Sequence, residues 1–165
     1  MPIAPESKGI PTIKWMPEPL WKESLKYIPV PCLDIIFERG DGSILYGYRK
    51  ISPYNKVWAL IGGRMLFGEG MRDAARRLSR EHGMMLGRAY LVGVFPVTFQ
   101  DRSDVSIAIA SPESKGKSTP DGQEFNRLQW RSRPPRNLGD NYRKMVVKWM
   151  KLRKSLKSLE EYEIT

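Results

Sequence analysis

Apolar and polar positions along this chain fall into short blocks whose period changes between two and three to four. VPCLDIIFE (30–38), rich in branched and apolar residues, reads as a buried strand. The turn signal RGDGS, with Asp41-Gly42 at its centre, leads into ILYGYRK, so the two runs predict a hairpin. VWALI (57–61) predicts another short strand, ended by the doublet Gly62-Gly63. From Met71 to His82 the period lengthens: Met71, Ala74, Ala75 and Leu78 share one helical face, and Gly83 is a fitting stop. AYLVGVFPVTFQ and DVSIAIAS are strand-like, SPESKGKSTPDGQ is a polar loop, and EFNRLQW alternates like a half-buried strand. After the basic break RSRPPRNLGD, Asp140 is placed to cap a long final helix, NYRKMVVKWMKLRKSLKSL.

The first 17 residues read as an arm, punctuated by Pro2, Pro5, Pro11 and Pro17, and residues 18–165 as one domain. Pro19 suits the first turn of a short helix, LWKESLKYI, whose Leu20, Trp21, Ser24, Leu25 and Ile28 share a face. Pro29 and Pro31 end it. There is no internal repeat, and the order of strands, helix, strands, helix predicts a mixed α+β fold. No apolar run approaches a membrane span, and the opening residues lack the apolar core of a secretory signal. The single cysteine, Cys32, excludes an intrachain disulfide and a cysteine-based zinc cage. A soluble, cytoplasmic protein is expected.

Charge narrows the partners. Lys and Arg number 28 against 18 Asp and Glu, a net charge of +10, which favours anionic partners: nucleotides, phosphorylated sugars, nucleic acid or an acidic membrane surface. A solvated basic surface with no partner gives the same count. Seven basic residues fall between Arg143 and Lys157, interleaved with Met145, Val146, Trp149, Met150 and Leu152. That pattern fits a docked terminal helix with its lysines in water, or a helix that binds a polyanion.

The segment with most chemistry is GGRMLFGEGMRDAARRLSREHGM, residues 62–84. A glycine pair leaving a strand offers bare backbone to a ligand. Glu69 follows, and Asp73, Arg77 and Glu81 recur at i, i+4, i+8 along the polar side of the helix. Such a stripe is either a set of solvated ion pairs or a place where carboxylates hold magnesium and arginines hold phosphate. His82, the only histidine, is expected to be structural or solvated.

The spacing Gly63-x5-Glu69-x7-Arg77 resembles the opening of the Nudix box, G-x5-E-x7-R-E-U-x-E-E-x-G-U. Leu78 stands where the first helix glutamate belongs, and the segment is one residue short before Glu81-His82-Gly83-Met84. Gly62-Gly63-Arg64 and Arg77-Leu78 are similar to the GDP-mannose mannosyl hydrolase group of that superfamily, over roughly Trp21 to Trp130. The resemblance implies a Nudix fold, a mixed sheet between helices, and a magnesium-dependent hydrolase of a nucleotide sugar. It also implies metal ligation by Glu81, the Gly63 carbonyl and Gln123, with Glu69 beside them. Arg49, Arg64 and Arg77 would touch the diphosphate or its developing charge, Asp34 the substrate, and Glu124 would serve as base in place of a histidine. A homodimer exchanging Pro19–Ile28 is implied as well. Two alternatives stay open: a catalytically degenerate protein that binds nucleotide, RNA or a protein partner, and a pyrophosphatase acting on a nucleoside diphosphate-linked compound.

Overall fold

The computed structural model describes residues 16–155 apart from 53 and 100, so most of the predicted arm and the run 156–165 lie outside the described residues. The order is α1 (Glu18–Ser24), β1 (Val30–Phe37), β2 (Ile44–Arg49), β3 (Trp58–Ala59), β4 (Ile61–Arg64), α2 (Met71–Glu81) and β5 (Met84–Met85). There follow β6 (Tyr90–Thr98), β7 (Ser103–Ser111), β8 (Lys115–Gly116), β9 (Phe125–Arg131) and α3 (Asp140–Leu152). This is the mixed α+β arrangement that the pattern predicts. One sheet runs β4-β1-β7-β6, with β1 and β7 parallel and the other pairs antiparallel. A second runs β3-β2-β9, and β5 pairs with β8 inside the predicted polar loop. No helix among the described residues is long and apolar enough to cross a membrane.

The predicted hairpin does not form. Beyond the turn only a bridge between Glu38 and Ile44 joins β1 to β2. Both strands are buried along most of their length, and each sits at the centre of its own sheet, β1 between β4 and β7, β2 between β3 and β9. Nor does VWALI end at its glycines. Trp58–Ala59 pairs with β2, the chain changes sheets at Leu60, and Ile61–Arg64 continues against β1 through Gly62-Gly63.

The helices also differ from expectation in detail. Asp140 lies in the first turn of α3 behind Gly139, without a side-chain cap bond, where its charge faces the positive end of the helix. The α-helix ends at Leu152, a tighter turn follows through 155, and the predicted continuation to 159 passes outside the described residues. Pro19 does occupy the first turn of α1, but that helix buries none of its residues, and Leu20 and Ile28 are exposed. Gly83 ends α2 with φ +67°, a conformation that disfavours any side chain.

Side chains alternate across β1, so the core divides into two layers. Leu33, Ile35 and Phe37 pack with Ala74, Ala75 and Leu78 of α2. Ile36 packs on the other face with Tyr46, Leu60 and α3 residues Met145, Val146 and Trp149. Each such large buried side chain contributes about 1.5–3 kcal/mol. The Trp149 indole donates to the buried Glu38 carboxylate, which also holds Arg153 at 2.7 Å. Asp34 shares the face of Ile36, on the α3 side.

Candidate functional site

Strand register explains the glycine doublet. Gly63 lies opposite Leu33 and Gly62 opposite Asp34. A Cβ on Gly62 would strike the Asp34 carboxylate and come within 2.7 Å of the Leu33 carbonyl. A Cβ on Gly63 would meet Leu78 Cδ2 at 2.8 Å. One glycine therefore makes room for a carboxylate on the α3 face, its neighbour for an apolar side chain on the α2 face.

On the α3 face a cleft of about 210 Å³ opens beside the doublet. It gathers Asp34 from β1, Arg49 from the end of β2, Gly62, Gly63 and Arg64 from β4, and Glu124 from just before β9. These were the positions singled out in the sequence. The cleft also holds Tyr54, Phe99, Arg102, Asp104, Ser106 and Tyr142, which the sequence reading missed. Asp104 and Ser106 carried a usable signal: polar residues at alternate positions of an otherwise apolar strand share a face.

The cleft is dense in charge. Arg49, almost fully buried, is ion-paired with Glu124, and its guanidinium also reaches the Ser52 carbonyl at 3.4 Å. Burial pushes the Asp34 carboxyl up to about 6, although the Ser106 hydroxyl donates to it and Arg49 favours its charge. Asp104 takes one oxygen to Arg102 at 2.8 Å. Its other oxygen, Oδ1, and the Nε atoms of Arg49 and Arg102 are buried without a partner among the described residues. Unmet valences of this kind are costly unless a ligand meets them. Burial lifts the Tyr142 and Tyr54 hydroxyls and pushes the Cys32 thiol up to about 12, so all three stay neutral near pH 7. The Tyr54 ring lies 5.5 Å from both Phe99 and Tyr142, and Trp21 of α1 stacks 4.5 Å over the Arg64 guanidinium.

Glu69, Arg77 and Glu81 lie apart from the cleft lining, as does Gln123 on its exposed loop. Arg77 grips Glu69 through two bonds of 2.8 and 2.9 Å, the Arg64 carbonyl at 2.9 Å and Glu81 at 3.2 Å. Glu69 in turn accepts the Leu66 amide at 2.9 Å, and the Arg77 bond holds its carboxyl below the usual range. The clasp shapes the loop between β4 and α2. His82 is buried against Phe125, with Nδ1 3.3 Å from the Thr119 carbonyl, as a structural histidine should be.

These donors can be tested against a divalent ion. No cluster of three or more His, Cys, Asp or Glu capable of holding a metal occurs among the described residues. Leu78 packs on Gly63, and Glu69 is committed to Arg77, so a centre of several ions does not fit. A single magnesium ion would ask less of the protein, because it draws most of its shell from water and phosphate oxygens. Glu81 is half exposed (47% of its side chain), and one guanidinium joins it to the Arg64 carbonyl, next to the bare backbone of Gly63.

Solved structures share this architecture. The MutT Nudix hydrolase of Burkholderia pseudomallei superposes with a TM-score of 0.68 at 23% identity, over 73% of this chain and 98% of that one. The chain has the Nudix fold. The Escherichia coli ORF135 protein matches at 0.64 and 24% over 81% and 95% of the two chains. The Nudix domain of Shewanella oneidensis NrtR, solved with ADP-ribose, matches at 0.66 and 12% over 84% and 99%. No family model matches the sequence, and no curated protein matches it significantly. At these identities the likeness carries the fold, and the substrate must be argued from the site.

Proposed function

We propose that this protein hydrolyses a nucleoside diphosphate-linked compound in the Asp34–Arg49–Arg64 cleft, with a nucleotide sugar of the GDP-mannose kind as its substrate. The observation that carries this reading is the set of unmet buried donors, Nε of Arg49 and of Arg102, gathered beside the open Gly62-Gly63 backbone. A diphosphate supplies acceptors of the kind those guanidinium groups lack. The Tyr54 and Phe99 rings offer apolar surface to a nucleoside, and the orphan Asp104 Oδ1 offers an acceptor to its N–H groups. ADP-ribose, which the NrtR domain binds, is itself a nucleoside diphosphate-linked compound.

In this reading Arg49 and Arg64 hold the diphosphate and stabilise charge on the leaving group. Glu124, fixed by Arg49, is the base expected from the sequence; Asp34, with its raised carboxyl, is the cleft group best tuned to exchange a proton near neutrality. Glu81, the Gly63 carbonyl and Gln123 would hold magnesium, which when bound would offset negative charge on the phosphates. Arg77 and Glu69 act on the site by positioning Arg64 and Glu81. The same reading includes a homodimer exchanging Pro19–Ile28, supported by the exposure of that segment and tested by sedimentation.

The test is turnover of nucleotide sugars, ADP-ribose and nucleoside triphosphates with and without magnesium, beside Glu81→Gln. Release of nucleoside diphosphate and free sugar, lost in the variant, supports the proposal. Release of a nucleoside monophosphate means pyrophosphatase chemistry. A second reading, a nucleotide-binding protein without turnover, is favoured by Leu78 on Gly63 and by the locked Glu69; tight binding with no product would establish it.

A further inference from the structure

The stretch FNRLQWRSRPPRNLG (125–139), which is β9 and the loop after it, holds four arginines and no acidic residue. Register puts Arg127, Gln129 and Arg131 on the face of the sheet that carries Tyr48, Tyr46 and Ile44 of β2. There two guanidinium groups converge on one ring. Those of Arg127 and Arg131 lie 4.9 and 4.6 Å from the centre of Trp58, and Arg127 is also 5.1 Å from Tyr48. Arg143 of α3 donates to the Pro135 and Arg136 carbonyls at 3.0 and 2.9 Å, which brings a third guanidinium to the same loop. Arg133 and Arg136 stand exposed on it.

None of these five arginines forms an ion pair among the described residues. Two buried polar atoms of the cluster also lack a partner there, Arg131 Nε and the Tyr46 hydroxyl, and the charges of Arg131 and Arg143 act on that hydroxyl. Glu38 acts on it too, but its carboxylate is taken by Trp149 and Arg153. Like charges gathered without a counterion repel one another, so the cluster favours an anion.

Two other basic stripes differ from this one. Arg72, Arg76 and Arg80 recur at i, i+4, i+8 on the exposed side of α2, with Asp73 among them, and Lys144, Lys148 and Lys151 are exposed on α3. Lysine is a strongly hydrated point charge, whereas arginine offers phosphate a flat pair of donors. The β9 arginines are moreover held beforehand, by Trp58, by Gln129 at 2.9 Å from Arg131 and by the two loop carbonyls. Less side-chain freedom is then lost on binding. Several such groups along a strand and a loop match a ligand with several phosphates rather than one.

We infer that the ridge from Arg127 and Arg131 through Arg133 and Arg136 to Arg143 binds the phosphate backbone of a nucleic acid strand, without preference for sequence. None of these residues lines the Asp34–Arg49–Arg64 cleft, so this binding does not depend on the proposed reaction.

Fluorescence anisotropy of a labelled single-stranded RNA of about twelve nucleotides, titrated with the full chain, tests it. Two unrelated sequences should bind equally, with micromolar Kd at low salt. Log affinity should fall against log salt with a slope of about −3, as four or five neutralised phosphates require. Arg133→Gln/Arg136→Gln alters exposed side chains only; it should weaken binding about tenfold and flatten the slope by about 1.4. Lys148→Gln/Lys151→Gln removes the same charge from exposed positions of α3 and should weaken binding less than about threefold, with the slope kept. Absence of binding at low salt, unchanged affinity in the loop variant, or equal losses in the two variants would overturn the inference.

Discussion

The two long helices hold the sheet by different means. α3 buries Met145, Val146 and Trp149 and adds one buried polar anchor, the Glu38 carboxylate under the Trp149 indole and Arg153. α2 buries Ala74, Ala75, Leu78 and Ser79, a smaller set, and is tied to its loop by the Arg77 clasp on Glu69, Glu81 and the Arg64 carbonyl. One helix is secured mainly by apolar area, which salt barely affects; the other depends on charges near the surface, which salt screens. The cleft opens between the N-terminal end of α3 and the Gly62-Gly63 edge that α2 supports. Its firm side and its adjustable side thus have separate origins, and the cleft, unlike the clasp, keeps unmet polar atoms: Nε of Arg49 and Arg102 and Oδ1 of Asp104.

Substitutions can push on each side of this contrast. Trp149→Ala should cost about 4 kcal/mol in urea unfolding, nearly independent of salt, because it empties a fully buried aromatic site and removes one of the two partners of the Glu38 carboxylate. Asp34→Asn should change the pH profile of stability. The folded carboxyl titrates near 6 against 3.8 in the unfolded chain, so wild-type stability is fullest below 3.8 and falls as pH rises through 6. Relative to wild type, the Asn variant should therefore gain up to about 3 kcal/mol at pH 8 and nothing at pH 3. Parallel profiles would show that Asp34 is solvated in the folded protein.

Smaller effects belong to the clasp. Arg77→Leu should cost about 2 kcal/mol, because Glu69 loses its partner while only partly buried, and exchange over 64–70 should rise. Glu69 has its carboxyl lowered by Arg77, so its contribution is present at neutral pH and lost as pH falls below its ordinary range. Glu81→Gln should cost less than about 1 kcal/mol, since that pair is half exposed, while removing magnesium-dependent turnover. Large loss of stability in Glu81→Gln would move Glu81 from the site to the scaffold.

Local pattern carried much of this architecture. Strand and helix runs, the Gly83 stop and the buried face of α2 were legible in it, whereas Asp34, Arg49, Arg64 and Glu124 were singled out by the family resemblance and line one cleft. What failed depended on pairing between distant segments. The Asp41-Gly42 turn is a hairpin signal, yet the burial of β1 and β2 sends each to a different sheet. No residue in VWALI announces that the chain changes sheets at Leu60. Arg102, just before β7, and Tyr142 of α3 also reach the cleft, and neither their spacing nor their neighbours predict that approach, whereas the alternation of Asp104 and Ser106 did carry a signal. The glycine doublet was noticed for its bare backbone, whereas register assigns its two members to opposite faces.

The most direct measurement is backbone NMR of the labelled protein titrated with a nucleoside diphosphate in the presence of magnesium. The account predicts shifts concentrated at Arg49, Gly62–Arg64, 99–106 and Tyr142, reduced at least tenfold in affinity by Arg49→Ala. Shifts confined to Arg72, Arg76 and Arg80, or no shifts at millimolar ligand, would contradict it.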